Sequence, residues 1–492
     1  MDVTMTAEAR LGRDARRYST LFAILFWMGA LWLFSQFYVP LKQWGAAWYG
    51  SDTLSFQEAQ RLSGSCPIIW TWNGREFEYI TDVLGVAPLG ASAGDGTYFP
   101  TDHDELIWIH GESLRERGGQ YEVRITEELS EVAYLDQVEL IAVDHPASVS
   151  IFTNEKWKSP PFPEFRLFGS ERRIHPRAAR GPRGRDELRA VRRKDRIYTG
   201  GFQRDYQGVA EMHAVEFDFG DAAPHGRAVL VLDGWVDWAD GSTFLARAQT
   251  GNAGLQPPRL EMRDERGAWV TAIEDMGMPA GKPKVIAVDL TGLWKSRSRE
   301  VRIVTNLCVF WDEVFLLETN APPPAKLASL SAGRAALRFR GFAEHRVHPR
   351  RLQPEEFVYG EGRPASSWNQ TPGLYTRYGE VTELVTAADD RMVIMGSGDE
   401  LTLLFDASAL PALPAGWRRD FILKVDGWAK DRDANTAFSQ TVEPLPFHGM
   451  SGYPYGPSER FPDTPAHRQW REKYNTRPAL RLLHSLRAEV RR

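Results

Sequence analysis

The hydrophobic positions of the chain fall into two different patterns. Residues 21–40 form a mainly apolar run without a charged residue, LFAILFWMGALWLFSQFYVP. After residue 65, short runs of branched and aromatic residues alternate with Gly, Pro, Asn and Asp. The first pattern predicts a membrane-spanning helix, and the second predicts many short β-strands.

The apolar run has the length and the flanking charges of a single membrane anchor. About 20 helical residues cross a hydrocarbon core of about 30 Å, and only a helix satisfies its own backbone there. Four arginines precede the run and Lys42 is the nearest cation after it, so the N-terminus is expected in the cytoplasm and the body outside. A cleaved signal peptide is the alternative, although its apolar core is usually shorter, about 7–15 residues. The aromatic residues expected to hold the anchor in the bilayer are Trp27, Trp32, Tyr38, Trp44 and Trp48.

The body is predicted to be mainly β. Tyr121, Val123 and Ile125 alternate with polar residues, which is the period of a half-buried strand. No long segment between residues 65 and 460 has convincing helical periodicity. Many short strands with frequent turn signals favour sandwiches or jelly rolls. Further strand-like runs lie at 228–232, 301–304, 309–317 and 420–425.

Two blocks of the sequence recur. The segment that begins at Val215 resembles the one that begins at Leu401, and both contain Asp-Gly-Trp, at 233–235 and at 426–428. Val-Arg-Ile occurs at 123–125 and at 301–303, followed by Asp-Gln-Val at 136–138 and Asp-Glu-Val at 312–314. These repeats predict two or three related β-sandwich units.

The repeated blocks resemble the galactose-binding-like jelly roll. The resemblance rests on Val288-Asp289-Leu290-Thr291, then Val301-Arg302-Ile303, then Trp311-Asp312-Glu313-Val314. Thr291 stands where that family has the glycine of its Asp-Leu-Gly motif. The resemblance covers about residues 205–320 and, weakly, 375–445. It implies a binding module whose ligand loops lie at one end of the sandwich, and it identifies no ligand residue.

A longer resemblance spans most of the body. CPIIWTWNGREFEYITDVLG (66–85), YLDQVELIAVDHP (134–146) and GYPYGPSERFPDTPAHRQWREKYNTR (452–477) resemble a region of bacterial FG-GAP and tetratricopeptide-repeat proteins. This resemblance implies an exported bacterial β protein. Together with the predicted anchor and its orientation, it leads us to expect a protein of the bacterial inner membrane with its bulk in the periplasm. Accessory subunits of bacterial photosynthetic reaction-centre complexes have a similar layout.

These patterns together predict the organisation of the chain. From Pro478 onward, leucines at helical spacing and several arginines predict a basic C-terminal helix. The predicted units are a cytoplasmic tail (1–20), a transmembrane helix (21–40), a juxtamembrane linker (41–64), a β domain (65–165), a basic loop (166–200), a galactose-binding-like sandwich (201–320), a second related sandwich (321–462) and the C-terminal helix (463–492).

A metal-binding site is better supported by the sequence than a catalytic site. Asp431, Asp433 and Asn435 have the alternate spacing that directs oxygens toward Ca²⁺, although turn formation alone explains such residues. Asp102-His103-Asp104-Glu105 is a second acidic cluster. His448-Gly449-Met450-Ser451-Gly452 places a serine near a histidine but fits no nucleophile elbow. No other hydrolase, P-loop or C-x-x-C motif occurs, so neither an enzyme nor a resident cofactor is expected.

Two sets of side chains are candidates for contact with a partner or ligand. Trp235 and Trp428 suit stacking on a sugar or a partner, with core packing as the alternative. The basic tract between 166 and 196 includes Arg172, Arg173, Arg192 and Arg193. Because arginine binds phosphate and carboxylate, anionic lipid and an acidic partner are the expected contacts of this tract. The alternative is a solvated loop without a partner.

Charge and cysteine content limit the function classes. The net charge of −5 argues against nucleic acid as a partner. Cys66 and Cys308 can pair in an oxidising compartment, or Cys308 can be a buried free thiol. The sequence therefore predicts a non-enzymatic, membrane-anchored scaffold, an accessory subunit of a larger membrane complex. The alternatives are a tethered carbohydrate- or ligand-binding module and a hydrolase with an unrecognised site.

Overall fold

The structure, a computed structural model, describes most of the body. The described residues are 23, 25–28, 67–94, 96–220, 226–249, 254–318, 322–363 and 370–479. The predicted anchor at 21–40 therefore lies outside them except for five helical positions. Within the part of the chain that the structure describes, no helix combines the length and the apolar character needed to cross a membrane.

Two antiparallel sheets face each other to form a discontinuous sandwich, here called the host sandwich. Both sheets contain strands from before residue 147 and from after residue 325. In spatial order, the seven-stranded sheet consists of Phe77–Asp82, Ile68–Trp72, Gln120–Thr126, Asp399–Asp406, Arg334–Phe339 and Gly379–Glu380, with Glu116–Arg117 paired to Gln120–Thr126. The five-stranded sheet consists of Lys326–Ser331, Glu131–Pro146, Trp417–Asp431 and Asp104–Ile109, with Val393–Gly396 paired to Glu131–Pro146.

The chain between these two parts forms a second sandwich, the inserted sandwich. Its strands all lie between residues 173 and 318. Its six-stranded sheet has the order Ala178–Arg180, Val209–Asp218, Glu300–Leu307, Arg259–Arg263 and Trp269–Ile273, with Arg204–Tyr206 paired to Val209–Asp218. Its four-stranded sheet has the order Arg173–Ile174, Val309–Glu318, Ala228–Val236 and Lys284–Asp289.

The two sandwiches share one strand arrangement in a circularly permuted order. Trp417–Asp431 lies between Glu131–Pro146 and Asp104–Ile109, as Ala228–Val236 lies between Val309–Glu318 and Lys284–Asp289. In the inserted sandwich the Ala228–Val236 strand precedes the Val309–Glu318 strand along the chain. In the host sandwich the equivalent of the first, Trp417–Asp431, follows the equivalent of the second, Glu131–Pro146. The repeated sequence blocks thus occupy equivalent strands.

The remaining elements are short. Helix Gly241–Gln249 is not predicted by periodicity, because its buried face is a single turn containing Phe244. Helix Pro465–Lys473 starts after the Thr464 cap. The 3-10 turns are Pro182–Gly184, Leu188–Val191, Thr382–Leu384 and Ala407–Ala409. The two-stranded sheets are Ser92–Gly94 with Thr97–Tyr98, Ser150–Thr153 with Leu167–Ser170, Phe342–Arg346 with Glu356–Arg363, and Gly373–Tyr375 with Arg477–Ala479.

The inner faces of all four large sheets contribute to one hydrophobic core. Val123 and Leu423 come from the host sandwich and Leu230 and Ile303 from the inserted one. Strand Gln120–Thr126 shows the predicted alternation, since Tyr121, Val123 and Ile125 are buried and the residues between them are half-buried. An aromatic cluster joins the two sandwiches through Phe99, Trp157, Trp238 and Phe244. Burial of such large rings is a major source of stability.

The mainly β class with several sheets is therefore confirmed, and its organisation differs from the predicted division. Strands from the predicted units 65–165 and 321–462 pair with each other in both host sheets. The basic segment 166–200 is an ordered part of the inserted sandwich that contributes strands Arg173–Ile174 and Ala178–Arg180. A helix beginning at Pro478 is wrong, because Pro478 lies in strand Arg477–Ala479; residues 480–492 lie outside the described residues.

Candidate functional site

Each Asp-Gly-Trp motif lies opposite a β-bulge in the adjacent strand of its sheet. The register shifts between Asp426 and Gly427 in the host sandwich, and between Asp233 and Gly234 in the inserted one. A Cβ at Gly427 would lie 2.2 Å from the Tyr134 carbonyl oxygen, and one at Gly234 would lie 2.4 Å from the corresponding oxygen of Phe310. Glycine is therefore required by the close approach of two backbones.

The shift leaves one aspartate of the neighbouring strand without a register partner in each sandwich, Asp136 or Asp312. The Asp136 carboxylate accepts a hydrogen bond from the Asp390 N–H at 2.8 Å, and Asp312 accepts one from the Arg196 N–H at 3.0 Å. Both donors have left-handed φ angles, 63° and 64°. Equivalent carboxylates thus fix a strained loop in each of the two sandwiches. Burial raises the pKa of Asp136 to about 7 and that of Asp312 to about 6.

In the host sandwich two histidines meet at this bulge. His103 Nδ1 lies 2.9 Å from one carboxylate oxygen of Asp426, and His448 Nε2 lies 3.0 Å from the other. The two imidazole rings are 4.6 Å apart and nearly perpendicular, at 81°. Trp428 packs beside both rings, at 5.8 Å and 5.0 Å. We call these residues, together with Asp136 and Asp390, the host bulge site.

The site combines a buried carboxylate with accessible imidazoles. The Asp426 side chain is 4% exposed, whereas those of His103 and His448 are 40% and 26% exposed. Hydrogen bonds from His448 to Asp390 and to Asp426 raise the pKa of His448 to about 10. The hydrogen bond to Asp426 also raises the pKa of His103. Burial opposes ionisation of Asp426, but the two histidines lower its pKa below the usual value.

The equivalent position of the inserted sandwich holds a lysine. Lys194 Nζ lies 2.7 Å from the Asp233 carboxylate. Asp233 is buried, and the lysine comes from the loop that Asp312 fixes. The aspartates of both Asp-Gly-Trp motifs, Asp426 and Asp233, therefore face a positive or protonatable nitrogen. Two imidazoles contact Asp426, whereas a lysine contacts Asp233.

Comparison of the chain with protein-family models, curated proteins and solved structures found no match.

The three oxygen donors predicted for Ca²⁺ lie at the end of the host central strand. Asp433 accepts hydrogen bonds from the Ser242 hydroxyl at 2.7 Å and from the Asn435 N–H at 2.9 Å. Asn435 Nδ2 donates to the same hydroxyl at 2.8 Å. Burial and the nearby Glu131 raise the pKa of Asp431. Contacts to helix Gly241–Gln249 thus engage Asp433 and Asn435, and Ca²⁺ binding stays a prediction.

The two tryptophans of the motifs belong to the core. Trp235 and Trp428 are each 1% exposed. Trp235 stacks on Phe310 with ring centroids 4.6 Å apart. Their burial favours the packing role over stacking on a sugar.

The four arginines named from the basic tract are all exposed. Arg173 pairs with Glu313 at 3.1 Å, and Arg193 pairs with Asp195 at 2.7 Å. Arg172 and Arg192 make no ion pair with any residue that the structure describes. Of the predicted anchor residues, Trp27 is helical and exposed; Trp32, Tyr38, Trp44 and Trp48 lie outside the described residues.

Sequence reasoning did not connect the members of the host bulge site. His103 lies in the acidic cluster at 102–105, and His448 in the His-Gly-Met-Ser-Gly segment, 345 residues later. Ser451 does not join His448, since its hydroxyl and N–H bond Glu459. The sequence offered one signal for each residue. Asp426 begins a repeated Asp-Gly-Trp motif, His103 lies in the acidic cluster at 102–105, and His448 begins the His-Gly-Met-Ser-Gly segment.

Proposed function

We propose that this protein is a membrane-anchored, non-enzymatic periplasmic scaffold, an accessory structural subunit that stabilises a larger membrane complex. A photosynthetic reaction-centre or light-harvesting complex is the candidate that the resemblance suggests. The observation that carries the proposal is an ordered basic surface on the inserted sandwich.

This basic surface comprises residues 166–196. It contains eleven arginines and one lysine against four carboxylates, in a chain whose net charge is −5. The segment therefore has a net charge of +8, whereas the rest of the chain has a net charge of −13. Such a field favours encounter with an acidic surface and disfavours other partners.

The segment is held in place by its own contacts. Arg173 contacts Glu313 and Arg177 contacts Asp218 at 2.9 Å, both across to strands of the inserted sandwich. The Arg183 side chain contacts Glu211 at 2.6 Å. These contacts leave Arg172, Arg189 and Arg192 exposed and available to a partner. A pre-ordered arrangement of guanidinium groups loses less entropy on binding and suits carboxylates on a folded protein.

A second candidate, a tethered ligand-binding module, is favoured by a groove where the sandwiches meet. The groove has a volume of about 370 Å³ and is lined by Tyr79, Trp108, Thr153 and Glu155, among others. Tyr79 Oη, Thr153 Oγ1 and Glu155 Oε1 are buried and have no hydrogen-bond partner among the described residues. Unsatisfied polar groups beside an aromatic ring are typical of ligand sites.

Co-purification from the native membrane tests the scaffold proposal. We expect the full-length protein, extracted with a mild detergent, to be recovered with an integral membrane complex in fixed stoichiometry by mass spectrometry. Replacement of Arg172, Arg189 and Arg192 by Glu is expected to release it, whereas the matched triple change of Arg75, Arg115 and Arg266 to Glu is not.

Each outcome separates the candidates. Release by deletion of residues 1–40 alone, with the basic variant still bound, would assign the association to the anchor and refute the role of the basic surface. Recovery as a lone monomer would refute the scaffold proposal and favour the ligand-binding module. Binding of the purified protein to anionic vesicles, lost in the basic variant, would assign the surface to lipid instead.

A further inference from the structure

The host bulge site holds the three donors of a metal centre. One ligand atom each from His103, His448 and Asp426 lies within 4.8 Å of the other two. We propose that these three side chains bind a divalent transition-metal ion, Zn²⁺ being the ion that the donor set suits best. This inference is independent of the proposed scaffold role.

The donor geometry is close to what a zinc ion requires. Zinc binds imidazole nitrogen and carboxylate oxygen at about 2.0–2.2 Å, so tetrahedral neighbours are separated by about 3.4 Å. His103 Nδ1 lies 2.9 Å from one carboxylate oxygen of Asp426, and His448 Nε2 lies 3.0 Å from the other oxygen. Both distances are several tenths of an ångström shorter than that separation, so zinc binding requires each imidazole to move away from the carboxylate by about this amount.

A second layer of residues supports the donors as it does in zinc proteins. His448 binds Asp390 through its other ring nitrogen, Nδ1, at 2.7 Å. A carboxylate on the far side of a ligating imidazole selects the tautomer that leaves Nε2 free for the metal. Asp390 is itself fixed, because its N–H donates to Asp136. Trp428 forms an apolar wall beside both rings.

The charge around the site also favours a cation. Asp102 and Asp104 flank His103, and Asp136 lies 3.6 Å from His448 Nδ1. The related bulge of the inserted sandwich balances its aspartate with the ammonium group of Lys194. The host site has Ala388 at the matching place in its loop, two residues before Asp390, as Lys194 is two residues before Arg196. A bound ion would displace the protons of the two imidazoles and supply in their place the positive charge that lysine supplies in the sister unit.

The donor set also defines the class of ion and its role. Two imidazoles and one carboxylate select zinc or another first-row divalent metal over Ca²⁺, which requires six to eight oxygens. The exposed edges of His103 and His448 leave a coordination position for water. The ion would link three distant segments of the chain, at residues 103, 426 and 448, and so hold the segment after residue 442 on the host sandwich.

Zinc binding to the full-length protein tests the proposal. The protein is produced without a histidine tag, extracted in detergent, stripped with chelator and titrated with Zn²⁺ in competition with a chromophoric chelator. We expect one equivalent to bind. His103→Gln and His448→Gln are each expected to weaken binding at least tenfold, and Asp390→Asn by about 10- to 100-fold, the usual effect of removing such a support.

His175→Gln is the matched control, because His175 also contacts a carboxylate, Glu313 at 2.7 Å, but has no second imidazole beside it. It should bind zinc as the unmodified protein does. X-ray absorption of the zinc-loaded protein should show two imidazoles and oxygen ligands, and this readout does not depend on whether a variant folds. No binding, or binding that survives both histidine changes, or a spectrum without imidazole would overturn the proposal.

Discussion

The close backbone approach at the host bulge makes Gly427→Ala a sharp test of the fold. The new Cβ would lie 2.2 Å from the Tyr134 carbonyl oxygen and 3.2 Å from the Leu135 Cα, and Cβ contacts under 3.0 Å essentially never occur. The strands must therefore separate by about 0.8 Å, and the atom in the way belongs to the backbone of the adjacent strand.

The expected loss follows from two opposing effects. Overpacking of this kind costs about 1–3 kcal/mol, and the reduced entropy of the unfolded alanine variant returns about 0.4–1 kcal/mol. We expect Gly427→Ala to lower the free energy of unfolding by about 1 kcal/mol. Scanning calorimetry of the full-length protein in detergent should show a lower melting temperature.

Two further variants complete this test. Gly234→Ala should have a similar effect in the inserted sandwich, since its Cβ would lie 2.4 Å from the Phe310 oxygen. Gly452→Ala is the control, because its Cβ would meet no heavy atom within 4 Å. If Gly427→Ala melted at the temperature of the control, the two central strands would not approach as described.

Three further predictions concern the core. Trp428→Ala should cost about 3–5 kcal/mol, as expected for a ring that is 1% exposed; a loss below about 1 kcal/mol on chemical denaturation would contradict its burial. Burial raises the pKa of Glu127 to about 8. Between about pH 4.5 and 8 the native state therefore binds more protons at this group than the unfolded state does. The free energy of unfolding should fall as the pH rises through that range. Glu127→Gln should remove this slope, and parallel pH profiles for the two proteins would contradict it. Cys308 is buried with a raised pKa, so in a Cys66→Ser variant it should resist alkylation until the protein unfolds; rapid labelling of the native protein would show that the thiol is exposed.

Local pattern predicted the strands well, because side-chain alternation depends only on which face of a sheet is buried. The segments at 228–232 and 420–425 both lie in central strands. The repeat of Asp-Gly-Trp also carried real structural information, since a bulge imposes the same requirement for glycine in both sandwiches. These features are set within a few residues, where sequence reasoning is strongest.

Long-range pairing could not be predicted in the same way. Glu131–Pro146 pairs with Trp417–Asp431, and nothing local in either segment identifies the other as its partner. The insertion of one sandwich into another was therefore read as a series of separate units. The host bulge site was missed for the same reason, because His103 and His448 come together only when these strands pair. The predicted helix start at Pro478 failed for the same reason, because pairing with Gly373–Tyr375 holds Pro478 in a strand.

The interrupted chain path of the host sandwich sets the order in which the two sandwiches can form during synthesis. The strands before residue 147 emerge first, but their neighbours at 334–339, 399–406 and 417–431 are made last. The inserted sandwich, complete by residue 318, is the first unit that can close. Until their late partner strands are made, the early strands present open edges, which are prone to pair with other chains. The host sandwich can therefore close only after about 110 further residues, up to the end of strand Trp417–Asp431, have followed the inserted sandwich.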